Sequence, residues 1–167
     1  MDRFIAFLDA NILYPGGLRD VILRLAAKNL FIPKWSPDVQ REWQRALLKT
    51  KPHIGIENIA KINQNMTRAF PDALVTRYKK LEKGLDLPDK NDCHVLAAAI
   101  KAGAGVLVTN NTRDFPNRIL YEYDLEAQKP DEFTDNLYNL YSSRVIETVK
   151  EHRLVACEEF PSVWKRL

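Results

Sequence analysis

The chain has 167 residues, of which 46% are hydrophobic and 28% are charged, and its formal net charge is +3. This length is typical of one domain with a substantial core, so we predict a single domain over 1–167 with a helical C-terminal extension over 131–167. No apolar run approaches the roughly 20 residues of a membrane helix, and no basic segment followed by a signal core opens the chain. The expected location is therefore the cytoplasm, with no membrane partner. The small net charge does not indicate an obligate nucleic-acid coat protein, although it permits an anionic substrate.

The cysteines and histidines do not form a recognisable ligand pattern. Cys93 and Cys157 make no CxxC motif, and His53, His94 and His152 are far apart in the sequence. Zinc sites and disulfide frameworks need closely spaced or paired ligands. We therefore expect neither a zinc site nor a disulfide.

The first predicted element is a short apolar strand over 3–8, which ends on Asp9. Asp and Asn are common in turns after strands, so Asp9 is either a turn or cap residue or a carboxylate at the carboxyl edge of a sheet. A Pro-Gly-Gly turn follows, and a helix is predicted from Leu18. A second strand over 30–32 completes a strand-helix-strand unit.

The next helix is predicted to begin at Ser36, a capping residue followed by Pro at the first helical position. Its apolar stripe consists of Val39, Trp43, Ala46 and Leu47. Glu42 falls on that stripe by spacing, and a lone carboxylate that faces the interior is unfavourable unless it is paired or bound to a metal. Glu42 is therefore either part of a structural ion pair with a buried Arg or a functional carboxylate, and we favour the second interpretation.

Between residues 54 and 87 the pattern is less specific. A helix is predicted over 54–70, a short strand is one reading of 73–75, and 78–84 favours a turn or a short helix. This last segment carries Lys79, Lys80 and Lys83. Such a basic cluster is either a solvated face or a contact for phosphates.

A helix of small residues is predicted to begin at Asp92, capped by Asp89 or Asn91. Nearly every face of this helix is apolar, which indicates packing on most sides. Gly103 is a plausible C-terminal cap.

A buried strand is predicted to follow and to end at Thr109. In parallel sheets ligands bind beyond the carboxyl ends of the strands, which is where Asn110 and Asp114 fall. A further short strand is predicted over 119–121. The tail is predicted to be helical from Pro130 and again over 145–154, with a last turn or two over 160–167.

Four carboxylates, widely separated in sequence, each sit where a strand-helix alternation delivers a side chain to one sheet edge: Asp9, Glu42, Asp92 and Asp114. Carboxylates brought close together raise one another's pKa and cannot all ionise easily. A divalent cation resolves this conflict, and carboxylates without clustered His or Cys suit Mg²⁺ or Mn²⁺.

The chain resembles the PIN-domain ribonucleases, and among them the VapC-type toxins of bacterial toxin–antitoxin systems. The motifs that carry the resemblance are Phe7-Leu8-Asp9-Ala10-Asn11-Ile12-Leu13, Leu18-Arg19-Asp20 with Trp35-Ser36 and Glu42, Leu87-Pro88-Asp89, Asp92-Cys93-His94-Val95-Leu96-Ala97-Ala98-Ala99, and Thr109-Asn110-Asn111 with Asp114-Phe115-Pro116. The resemblance implies a three-layer α/β/α sandwich with a central parallel sheet. It also implies Mg²⁺- or Mn²⁺-dependent endonucleolytic cleavage of RNA that leaves 5′-phosphate and 3′-hydroxyl ends, a homodimer, and an antitoxin protein as partner.

The resemblance also implies roles for single residues. The acidic quartet corresponds to Asp9, Glu42, Asp92 and Asp114, an additional acidic position to Asp89, and the polar support around the metal to Asn11, Thr109 and Asn110. Cys93 stands where the motif commonly has Arg. We interpret His94 as a structural residue in preference to a proton carrier, because the carboxylates suffice for metal-assisted hydrolysis.

Two other functions compete with this prediction. An aspartyl-phosphate enzyme of the haloacid-dehalogenase type also uses an Asp after its first strand and Mg²⁺, but it normally has Asp at position 11, where this chain has Asn11. It would also leave Glu42 and Asp92 unexplained. A non-catalytic PIN-like module that binds RNA or protein is the other rival and ranks ahead of the phosphohydrolase. The intact carboxylate set argues against it, because unpaired buried carboxylates destabilise a fold.

Overall fold

A four-stranded parallel sheet, in the order β2-β1-β3-β4, forms the centre of the computed structural model. The structure describes residues 3–159, with side chains through 153, so the turn predicted over 160–167 lies outside the described residues. The strands are β1 (Ile5–Leu8), β2 (Ile32–Lys34), β3 (Val106–Val108) and β4 (Glu126–Gln128). Helices flank the sheet, and the predicted α/β architecture with a central parallel sheet is confirmed.

Eight α-helices lie among the described residues. They are α1 (Ala10–Leu13), α2 (Gly16–Ala27), α3 (Pro37–Thr50), α4 (Ile56–Ala69), α5 (Lys79–Glu82), α6 (Cys93–Lys101), α7 (Asn117–Leu120) and α8 (Pro130–Glu159). The long helix α8 is kinked at Tyr141, which has non-helical φ and ψ of −141° and 48°. Short 3₁₀ turns precede α4 and α6, follow β3 and follow α7. Within residues 3–159, no helix combines the length and the apolar character that crossing a bilayer requires.

The strand β1 is central because its residues can be covered on both faces. Ala6, Phe7 and Leu8 are fully buried, as are Leu107 and Val108 of the neighbouring strand. Strands of a parallel sheet that helices cover on both faces typically consist of such continuous apolar runs. The register pairs Leu8 with Val108, so β1 and β3 end side by side.

The prediction of a strand over 119–121 is wrong. Residues 117–120 form α7, a 3₁₀ turn follows over 121–123, and the last strand is β4. The sequence Glu126-Ala127-Gln128 gives little strand signal because β4 is an edge strand held by backbone pairing. Its ends are fixed by the hydrogen bonds from Glu126 N to Gly105 O (3.1 Å) and from Thr109 N to Gln128 O (3.0 Å).

Two further boundaries differ from the prediction. The second strand is shifted to 32–34, and the buried residues Leu30 and Phe31 lie in the connection before it. In the segment over 73–75, only Leu74 forms a bridge, parallel to Trp35, and 79–82 forms the short helix α5.

Helix α6 is buried in the core, as its small residues predicted. Residues 95–99 are at most 1% exposed, because alanine side chains let the helix approach the sheet closely. Gly103 adopts a positive φ of 66° and ends the helix; this conformation strains any residue with a Cβ. The predicted C-terminal cap is confirmed, and the cap turns the chain directly into β3.

Helix α8 packs against the same core from its first turns. Phe133 is 1% exposed and lies edge-on to Phe31, with ring centroids 5.0 Å apart. Beyond the kink, His152 Nδ1 lies 2.6 Å from Asp20 Oδ2, and Lys28 Nζ donates to Glu151 Oε1 at 3.0 Å. These contacts attach the second half of α8 to α2.

Candidate active site

Asp9 lies at the carboxyl edge of the sheet and also caps a helix. Its backbone N–H donates to Val108 O at 3.1 Å, and its Oδ1 accepts the backbone N–H of Ala10 at 2.7 Å, which starts α1. The side chain is almost buried, because the residue is only 5% exposed. Asp9 therefore both caps α1 and places its carboxylate at the sheet edge, so the two interpretations of its position are compatible.

The second carboxylate oxygen of Asp9 is held by polar residues from both strand ends. Thr109 Oγ1 donates to Asp9 Oδ2 at 2.8 Å, and Asn11 Nδ2 donates to the same oxygen at 3.2 Å. The backbone N–H of Asn110 in turn donates to Asn11 Oδ1 at 3.0 Å. Asn11 and Thr109 act through their side chains, whereas Asn110 contributes its backbone.

The environment of Asp9 favours the protonated carboxyl more than water does. Burial raises the pKa of Asp9, and the nearby negative charge of Glu42 adds to this effect. The hydrogen bonds from Thr109 and Ala10 and the charge of His94 lower the pKa, but the net shift is upward. A buried carboxylate is unfavourable in its ionised form unless a positive charge compensates it, so Asp9 is suited to hold a cation.

Asp92 lies at the end of the 3₁₀ turn Lys90–Asp92, directly before α6. Asp89 caps this turn, since its Oδ1 accepts the backbone N–H of Asn91 at 2.8 Å. Burial and the negative charges of Asp89, Asp9 and Asp114 raise the pKa of Asp92 to about 6. Negative charges from three separate parts of the chain therefore act on Asp92 at this edge.

Glu42 does not face the interior, contrary to the prediction. The buried residues of α3 are Val39, Gln40, Trp43 and Leu47, so the buried stripe is rotated away from Glu42. Gln40 tolerates burial because its side-chain oxygen accepts the indole N–H of Trp43. The Glu42 side chain is 47% exposed, and its partner is a histidine rather than a buried arginine.

The contact of His94 with Glu42 is one that the sequence did not indicate. Its Nε2 lies 2.6 Å from Glu42 Oε1, and its side chain is only 14% exposed. Burial alone would lower the pKa of His94, but the hydrogen bond to Glu42 and the charges of Glu42 and Asp38 outweigh burial and raise it. Its Nδ1 is buried and has no hydrogen-bond partner among the described residues. No local spacing could have revealed this pair, because its members are 52 positions apart in the sequence.

The chemistry of the clustered groups fits a hard divalent cation. The candidate donors are carboxylates, with the amide and hydroxyl of Asn11 and Thr109 beside them, and Mg²⁺ and Mn²⁺ prefer oxygen ligands. The raised pKa of Asp92 reflects burial and nearby negative charge, and a bound cation would offset both. In the part of the chain that the structure describes, however, no three His, Cys, Asp or Glu side chains are arranged around a single point as metal ligands.

A polar cleft of about 290 Å³ adjoins the site on the side of Glu42 and His94. Its walls come from α3, α5, the 3₁₀ turn over 90–92 and α6, and its remaining lining residues are Asp38, Arg41, Arg45, Lys79, Glu82, Lys90 and Asn91. Of the basic cluster predicted around residue 80, only Lys79 lines this cleft.

Known proteins resemble this chain in sequence and in structure. A 50-residue stretch of the chain is 44% identical to the putative ribonuclease VapC50 of Mycobacterium tuberculosis, and it spans 30% of each protein. Among solved structures, a chain of VapBC2 from Rickettsia felis bound to a DNA fragment from their promoter is 23% identical, with a TM-score of 0.44 over 75% of this chain and 98% of that chain. The sequence model of the family described as PIN domain matches residues 6–113. The chain therefore belongs to the PIN domain family.

Proposed function

We propose that this PIN-domain protein is an endoribonuclease that requires Mg²⁺ or Mn²⁺. The observation that carries the proposal is the convergence of negative charge on Asp92, whose pKa is raised to about 6 by burial and by Asp89, Asp9 and Asp114. A cluster that resists full ionisation has a strong electrostatic reason to bind a divalent cation. The putative ribonuclease name of the Mycobacterium tuberculosis relative supports RNA as the substrate.

In this proposal Asp9, Asp92 and Asp114 hold the cation, with Glu42 and Asp89 at its margin. Bound there, Mg²⁺ or Mn²⁺ would supply Lewis-acid activation of a water and of the scissile phosphate. Thr109 and Asn11 fix Asp9 Oδ2 and leave its carboxylate no freedom to rotate away from the edge. His94 fixes the carboxylate of Glu42 in the same way.

We further propose that the protein is the toxin of a toxin–antitoxin pair, that it acts in the cytoplasm and that it forms a homodimer. The motifs shared with VapC-type proteins and the name of the relative support this assignment. An antitoxin would be a small protein that covers the carboxylate edge and blocks access of RNA.

The first test is cleavage of total RNA by the purified full-length protein with Mg²⁺, with Mn²⁺ and with a chelator. Asp9→Asn and Asp92→Asn remove one candidate ligand each at nearly constant volume. Asp135→Asn is the matched control, because Asp135 is exposed on α8. Circular dichroism shows whether each variant is folded, and calorimetry measures Mn²⁺ binding independently of cleavage.

We expect metal-dependent cleavage by the wild type and by Asp135→Asn, and loss of cleavage and weaker Mn²⁺ binding in the other two variants. Folded wild type that neither binds Mn²⁺ nor cleaves RNA would refute the nuclease and favour a binding module. Mn²⁺ binding without RNA cleavage, together with hydrolysis of a phosphomonoester, would instead identify a phosphohydrolase.

A further inference from the structure

The cleft beside the carboxylates is lined along one side by a single face of α3. Asp38, Arg41, Glu42 and Arg45 all line it, and their spacing of three and four residues places them on neighbouring positions of one helix face. Glu42 thus lies in the middle of a row that continues along α3 to Arg45. An RNA strand that passes Glu42 along this row toward the end of α3 would meet Arg45.

Most cations of this cleft already have a carboxylate partner. Arg41 pairs with Asp38, and Lys79 Nζ lies 2.5 Å from Asp38 and 3.2 Å from Glu82 Oε1. Lys90 Nζ lies 2.7 Å from Asp86 Oδ1. These pairs cancel much of the positive charge that the sequence alone would assign to this surface.

Arg45 is different. Within the described part of the chain it has neither an ion-pair nor a hydrogen-bond partner, although it is exposed and lines the cleft three residues after Glu42. A guanidinium presents several N–H donors in a plane that matches two oxygens of a phosphate. An unpaired guanidinium loses no internal contact when it binds an anion.

We propose that Arg45 binds a backbone phosphate of the RNA next to the scissile one, and so positions the strand in the cleft between α3 and α5. This inference rests on the proposed ribonuclease function and assigns to that function a substrate-positioning residue. The bound ligand is a polynucleotide backbone rather than a free nucleotide, because Glu42 and Arg45 line the same cleft about one helical turn apart, and successive phosphates of one strand can reach both positions. Arg41 and Lys79 contribute less to RNA affinity, since binding RNA would have to compete with Asp38.

The test uses the full-length protein with a chelator present, so that a fluorescein-labelled single-stranded RNA of mixed sequence is bound but not cleaved. Fluorescence anisotropy gives the Kd as a function of salt for the wild type, Arg45→Gln and Arg45→Lys. Arg68→Gln is the matched control, because Arg68 is an exposed arginine of α4 outside this cleft. Thermal melts verify that all variants are folded.

Loss of one phosphate contact to a single strand should reduce the slope of log K against log salt by about 0.7, which corresponds to about fivefold weaker binding at about 0.1 M salt. We expect this change for Arg45→Gln, a preserved slope for Arg45→Lys and no change for Arg68→Gln. If Arg45→Gln matches Arg68→Gln while the wild type binds RNA, the inference is wrong. Metal-dependent cleavage by the wild type, measured separately, shows whether the proposed function stands in that case.

Discussion

The ring of His94 and the carboxylate of Glu42 lie 2.6 Å apart and join α6 to α3. Asp92 ends the 3₁₀ turn directly before α6 and is only two residues from His94, so the contact attaches Glu42 to the segment that carries Asp92. A hydrogen bond of this kind orients a candidate ligand and keeps its charge paired. Glu42 can therefore remain half-exposed and still have a defined position.

This contact predicts different effects for two substitutions of His94. His94→Leu removes the hydrogen-bond donor, whereas His94→Gln retains an N–H donor on a side chain of similar reach. Partners that orient metal ligands typically contribute about 10- to 100-fold to affinity or activity. We expect His94→Leu to weaken Mn²⁺ binding and cleavage by at least about tenfold and His94→Gln to restore most of this loss.

Calorimetry of Mn²⁺ binding and steady-state cleavage kinetics measure both effects. Equal Mn²⁺ affinity and equal cleavage rates of the two folded His94 variants would show that the hydrogen bond to Glu42 does not cause the loss.

Neutralising Asp92 should stabilise the metal-free protein. Its pKa in the folded protein is about 6, above the usual value of 3.8, so the folded state binds more protons than the unfolded state between these two values. Stability contributed by Asp92 is therefore highest in acid and is lost as the pH rises through about 6. We expect Asp92→Asn to raise the Tm at pH 7.5 but not at pH 4, in the presence of a chelator.

Added Mn²⁺ should reverse the order of the two Tm values at pH 7.5. Mn²⁺ binding stabilises the wild type, which keeps the Asp92 carboxylate, more than it stabilises Asp92→Asn. Differential scanning fluorimetry over pH tests both statements. A lower Tm of the metal-free variant at pH 7.5 would contradict the repulsion inferred for this cluster.

Asp38 makes the opposite contribution to stability. Burial alone would raise its pKa, but hydrogen bonds from Lys79, Tyr78 and Arg41 outweigh burial and hold the pKa well below its usual value. The Tyr78 hydroxyl donates to Asp38 Oδ2 at 2.6 Å, and the Asp38 side chain is 17% exposed. Asp38→Asn should therefore lower the free energy of unfolding at pH 7 by about 1.5–3 kcal/mol, the range for hydrogen bonds to charged groups.

The sign of the pH dependence follows from the lowered pKa. The stabilisation is complete above the pKa of unfolded Asp, about 3.9, and is lost as the pH falls toward the lower pKa of the folded state. Urea unfolding at pH 7 and pH 3 should show a large difference between wild type and variant at pH 7 and a smaller one at pH 3. A difference that stays constant with pH would mean that packing, not charge, is responsible.

Thr109 should control the charge state of Asp9. Its hydroxyl donates to Asp9 Oδ2 at 2.8 Å and lowers a pKa that burial raises. Thr109→Val keeps the shape but removes this donor, so the pKa of Asp9 should rise further and Mn²⁺ binding should weaken and shift to higher pH. Thr109→Ser keeps the hydroxyl and should behave like the wild type.

Calorimetric titrations at several pH values measure the shift. Wild-type affinity of a folded Thr109→Val variant at pH 6 would exclude this role for Thr109.

The local features of the fold could be predicted because each depends on a few neighbouring residues. Ser36 caps α3 through Val39 N at 3.1 Å, Gly103 ends α6, and Asp9 follows the buried strand β1. Caps and apolar runs are set by side-chain sterics and hydrogen bonding within one or two turns. The positions of the acidic residues at strand and helix ends were therefore predictable as well.

The tertiary structure decided which of these residues meet. Helical spacing locates the apolar stripe of α3 only to within a fraction of a turn, so the prediction that Glu42 faces the interior is wrong. The buried Gln40 shows that the stripe is rotated. The edge strand β4 depends on backbone pairing with β3, which leaves little trace in side chains. Sequence determined most of the elements and their acidic ends, but not the edge strand β4. The docking of α3 against α6 determined the Glu42–His94 pair, because contacts between distant segments depend on how whole elements pack.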